Sequence, residues 1–124
     1  MTVHKLLWVL LLIAAPLRAA HTVALGWTAS TDAGVAYNVY RAPGTIGTGN
    51  LVACPVKSTP VVTPWVQIAS GLTGLMYTDS TVSVGNAYCY YATATLGSLE
   101  SNPSNTSSAA ILPRGPSALV ATAH

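Results

Sequence analysis

Residues Asn86–Thr95 read Asn-Ala-Tyr-Cys-Tyr-Tyr-Ala-Thr-Ala-Thr. With a period of two, Tyr88, Tyr90, Ala92 and Ala94 share one face, and Cys89, Tyr91, Thr93 and Thr95 share the other. Successive side chains leave a strand on opposite sides, so this aromatic and β-branched alternation is the pattern of a half-buried strand.

The flanking sequence divides into further short strands. Within His21–Ser30, Val23, Leu25 and Trp27 alternate with Thr22, Ala24 and Thr28, and Ser30–Gly34 is rich in turn formers. Val35–Arg41 follows as a strand with Tyr37 and Val39 turned inward and Asn38 and Tyr40 outward. Ala42–Pro64 carries repeated Gly, Pro and Thr with one apolar patch at Leu51-Val52, and reads as a long loop. Trp65–Ala69 and Met76–Thr81 read as strands around a turn at Gly71–Gly74. Val84-Gly85-Asn86 turns into the Tyr-rich strand, Leu96–Pro103 is a loop, and Asn105–Leu112 is a last strand ending at Pro113. Short strands, turn signals between them and no helical period predict an all-β fold, a two-sheet antiparallel β-sandwich.

In this order the segments resemble the fibronectin type III module, an immunoglobulin-like sandwich, over Thr22–Pro113. Tyr88-x-Tyr90-x-Ala92-x-Ala94 is similar to its strand F, Val23-x-Leu25-x-Trp27 to strand B, and Leu75–Val82 to strand E. Tyr37-Asn-Val-Tyr-Arg41 looks like strand C of bacterial members. The resemblance implies a core of Trp27, Tyr37, Val39, Tyr77, Tyr88 and Tyr90. It makes Tyr88 a corner tyrosine, its ring in the core and its hydroxyl bonded to nearby backbone. The segment after strand C is longer than usual, which leaves the next strand unplaced. The first strand of the family is missing or atypical. Gly115–His124 (Gly-Pro-Ser-Ala-Leu-Val-Ala-Thr-Ala-His), within a tail of residues 114–124, looks like that strand displaced to the other end of the chain.

The chain has 124 residues, enough for one domain, of which 6% are charged and 51% hydrophobic. His4-Lys5, the apolar run Leu6–Ala15, Pro16 and the pair Ala19-Ala20 have the layout of a secretory signal peptide over residues 1–20, cut after Ala19 or Ala20. A retained anchor is the other reading, but a span needs ~20 apolar residues. The expected location is secreted, extracellular or periplasmic, with residues 21–113 as the folded domain. Without the leader, Arg41, Lys57 and Arg114 balance Asp32, Asp79 and Glu100. No basic patch remains for a phosphate backbone, so nucleic acid is not an expected partner.

Cys54 lies in the long loop and Cys89 on the outward face of strand F. Strands C and F are neighbours in the family's sandwich, so a loop leaving C can fold over that face. In an oxidising compartment such a pair joins, and closing ~35 residues stabilises the fold by roughly 3–4 kcal/mol in the chain-entropy model. Metal binding by the pair and a reactive thiol are the alternatives, the first without a nearby His and the second without a basic neighbour.

Catalysis is not expected. The processed chain offers only His21 and His124, both near termini, as bases. Asp32 and Asp79 fall at turns or strand ends, where they cap backbone, and Glu100 falls in a loop exposed to water. No cofactor and no metal ligand set is read from the sequence. Asn105-Thr-Ser matches a glycosylation sequon, but it lies in a predicted strand.

Two readings exist for the outward aromatics. Tyr40, Tyr91 and Trp65 form a strip that stacks on sugars or anchors a partner, or the cross-linked loop covers them. Fibronectin type III modules accompany extracellular polysaccharide-degrading enzymes and adhesins, so the resemblance implies protein or glycan contacts. The tail reads as a flexible end, as the start of a second repeat, or as a strand donated head-to-tail to another copy.

Overall fold

The computed structural model describes residues 20–124, so nearly all of the leader expected over residues 1–20 lies outside the described residues. The strands are β1 Val23–Gly26, β2 Ala36–Ile46, β3 Val52–Ala53, β4 Val66–Leu72, β5 Met76–Asp79, β6 Ala87–Leu96, β7 Leu99–Glu100 and β8 Ser107–Ala110. β1 and β5 form a small antiparallel sheet with Leu25 opposite Tyr77. The larger sheet is built on β2 and β6, antiparallel from Ala36↔Thr95 to Gly44↔Ala87. β3 and β4 pair with β2, while β7 and β8 pair with β6. The two antiparallel sheets pack as an immunoglobulin-like all-β sandwich.

The Tyr-rich stretch is the second of the two central strands, and its alternation is kept. Tyr37, Val39 and Tyr90 are buried on the inner face, where the Trp27 and Tyr37 rings meet at 5.7 Å between centroids. Trp27, Tyr77 and Tyr88 are half-buried. Trp27 and Tyr77 belong to the two-stranded sheet, which is too narrow to cover the inner face of the larger one. The Tyr88 hydroxyl accepts the Ser83 N–H at 3.0 Å, the corner arrangement expected of it.

The main departure lies after Arg41. β2 continues to Ile46, although Pro43-Gly44 reads locally as a breaker. Pro43 is held extended opposite Tyr88 and Gly44 opposite Ala87, and Thr45 and Ile46 pair with β3. Long-range pairing here outweighs local turn preference. Gly44 is required for another reason. A Cβ there would sit 2.7 Å from Val52 Cγ1 and 2.9 Å from Cys89 Sγ, closer than atoms can approach.

Candidate functional site: a cross-linked loop on the outer face

The central outward-parity residues of β2 and β6 are shielded from water. Tyr40, Ala42, Cys89 and Tyr91 form a second buried cluster with Trp65, and Val52 and Cys54 pack on it. The Tyr40 and Tyr91 rings stack at 4.8 Å, and Trp65 meets Tyr91 edge-on at 4.7 Å. Of the two readings of Tyr40, Tyr91 and Trp65, the covered one holds and the exposed aromatic strip is set aside: the three are only 3–4% exposed. The loop of residues 47–64 has folded over them.

Covalent and polar ties hold that loop. Cys54 and Cys89 form a disulfide with Cα atoms 5.9 Å apart, as expected from the sequence. Trp65 Nε1 donates to the Val56 carbonyl at 3.0 Å, and Lys57 Nζ donates to the Ser104 carbonyl. Between these anchors the Val56 side chain projects into water, 85% exposed, with Leu51 at 74% and Val62 at 51% on the same loop. Apolar side chains on an anchored backbone make contacts at little ordering cost, since the loop is fixed before any partner arrives.

Glu100 requires a correction. It is not merely solvated in a loop: β7 places its carboxylate to accept from Tyr40 Oη and Thr93 Oγ1, both at 2.6 Å, and from Asn38 Nδ2 at 3.3 Å. The Thr93 and Tyr40 hydrogen bonds hold its carboxyl below the usual range. Burial, then the bond to Glu100, pushes the Tyr40 hydroxyl up to about 12. The same bonds fix the upper edge of the aromatic cluster to the sheet.

On the inner face Asp79 is 2% exposed. It does cap the Thr81 N–H at 3.0 Å, the role expected at a strand end, but it also accepts from Thr81 Oγ1, Arg41 Nη1 and Tyr90 Oη at 2.6, 2.8 and 2.9 Å. The guanidinium of Arg41 also lies 5.0 Å from the Tyr88 ring centroid. Burial and the bond to Asp79 push the Tyr90 hydroxyl well above its ordinary value. Sequence reading missed this cluster. Its signal was parity: Arg41 continues the inward series Tyr37, Val39 in a chain with few charges, so it needed a buried anion.

The class defined by this geometry is an immunoglobulin-like β-sandwich whose central sheet is covered on its second face by a disulfide-anchored loop. No protein-family model and no curated protein matches the chain.

Proposed function

We propose that the chain is an exported, non-catalytic module of the fibronectin type III kind that binds other extracellular proteins through its anchored loop. Several features support this reading. The buried Cys54–Cys89 bond suits an oxidising compartment. Asp79 and Glu100 are each engaged by several donors on opposite faces of the sheet, which keeps them from acting as a catalytic pair.

The observation that carries the proposal is Val56, exposed at 85% while its own carbonyl is fixed by the Trp65 indole. Aliphatic side chains on a rigid loop suit the apolar centre of a protein interface. Sugar recognition uses aromatic faces, and here those faces lie beneath the loop.

The test is a binding screen of the His21–His124 form against secreted and surface proteins of its source and against a glycan array, with Val56→Asp and Leu51→Asp alongside. The expected result is protein binding that weakens at least about tenfold in the variants with unchanged thermal stability. Binding to glycans alone, or protein binding indifferent to both substitutions, refutes the proposal.

A further inference from the structure

β1 has an unfinished edge. The Trp27 N–H bonds to the Leu75 carbonyl at 3.1 Å, and Leu25 and Val23 stand opposite Tyr77 and Asp79. In an antiparallel pair these alternate residues direct both backbone groups at the partner. The N–H and C=O of Ala24 and Gly26 therefore point the other way, where no strand of the described residues pairs with them. Elsewhere the molecule protects such groups. The β6 N–H groups of Ala92 and Ala94 are capped by the Ser104 and Ser101 hydroxyls, each at 2.9 Å.

Beside the bare edge lies a groove of about 400 Å³ between the sheets, lined by Leu25, Trp27, Val39, Tyr90, Ala92 and Ser107 among others. Trp27 Nε1 is buried there without a hydrogen-bond partner. The feature is that of a sandwich lacking one strand: apolar side chains half-covered, a donor orphaned and a row of edge groups open.

The chain also carries a segment with nothing to pack on. After β8, residues 113–124 form no strand, and Leu119 and Val120 are 92% and 78% exposed. Ser117, Leu119 and Ala121 would share one face of an extended segment, a small–large–small row matching a narrow groove. Ala118 sits at φ 60°, a left-handed conformation that an extended pairing would relieve.

We infer that the tail of one molecule adds to the β1 edge of the next as an antiparallel strand, with Leu119 in the groove beside Leu25 and Trp27. Reach argues against the same pairing within one molecule. Arg114 Nη2 donates to the Ala20 carbonyl at 3.4 Å, so the tail leaves from the end of the body where β1 begins. An antiparallel partner must start at the opposite end, near Trp27. That distance is ~24 Å for seven residues of strand, which would consume the chain from Arg114 to about Ala121 before pairing began. A neighbouring molecule supplies the polarity without that path. The contact joins two different surfaces, so it repeats from copy to copy and builds assemblies of two or more molecules, closed or open according to the rotation between neighbours. This inference stands apart from the loop-binding proposal, since it uses neither the loop nor a foreign partner.

The test uses the His21–His124 form, a form ending at Arg114, and a fluorescent peptide of residues 115–124. Light scattering across a range of concentrations is expected to show the longer form growing in mass and the shorter one remaining a monomer. The peptide is expected to bind the shorter form and, in excess, to return the longer form to monomers. Ala24→Pro removes only an edge-facing N–H, and together with Leu119→Asp in the peptide it is expected to weaken binding at least about tenfold. Circular dichroism of Ala24→Pro is expected to match the parent, the check that the body remains folded. A long form that is monomeric throughout, a peptide that does not bind, or a tail protected from hydrogen exchange within a monomer each overturns the inference.

Discussion

Asp79→Asn probes the inner face most directly. Burial alone would push this carboxyl up, but the bonds from Thr81, Arg41 and Tyr90 outweigh it and hold the group at about 2, against an ordinary 3.8. A folded-state value below the unfolded one means that the unfolded chain takes up the proton first. The stabilisation is therefore present in full above pH ~4 and is lost as the pH falls through about 2. At about 1.4 kcal/mol per tenfold difference in proton affinity, the whole contribution is about 2.5 kcal/mol, with about 2 kcal/mol of it gone by pH ~2. At neutral pH the asparagine variant loses the anion while Arg41 stays half-buried, its side chain 26% exposed. Removing one partner of a buried pair costs about 3–5 kcal/mol. Water reaching Arg41 brings the expected loss to the lower end of that range or just below it, about 2–3 kcal/mol. Urea unfolding followed by tryptophan fluorescence at pH 7, 4 and 2 measures both quantities, with Glu100→Gln accounting for the other depressed carboxyl. The reasoning fails if Asp79→Asn matches the parent at pH 7. It fails equally if the variant loses stability on acidification as steeply as the parent does.

Replacing both Cys54 and Cys89 by Ala is expected to lower unfolding stability by about 3–4 kcal/mol, from a closed loop of 35 residues. The same variant should make Trp65 accessible to an aqueous quencher while the sandwich stays folded. Quenching that does not change would show that packing alone holds the loop. Gly44→Ala forces Val52 and the disulfide sulfur apart and should cost about 1–3 kcal/mol as overpacking. A denaturation midpoint equal to the parent's would show that β3 shifts freely.

Periodicity made the architecture legible. The parity of Tyr88–Thr95 and of Tyr37–Tyr40 assigned inner and outer faces correctly, because a strand's side-chain period does not depend on its partners. The disulfide was legible from the expectation of export and from Cys89 lying opposite in parity to Tyr88 and Tyr90. The end of β2 was not, since Pro43-Gly44 carries a local turn signal that only pairing with β6 and β3 reverses. Nor was the fate of the outward aromatics. Parity says which side of the sheet Tyr40 and Tyr91 take, but not whether a loop lies over that side. Glu100 was illegible for a similar reason: its carboxylate is organised by Tyr40 and Thr93, distant from each other in the chain.

The layering of the central sheet has a consequence for how the sequence can drift. Cys89, Tyr90 and Tyr91 are consecutive and each is at most 4% exposed, although they face alternate sides. A residue in most sandwich strands answers to one interior, and its neighbour is free to vary with the solvent. In β6 both must fit packed surroundings, so neutral substitutions should gather at solvent-facing positions elsewhere, while the Tyr-rich strand changes only in concert with a residue packed against it.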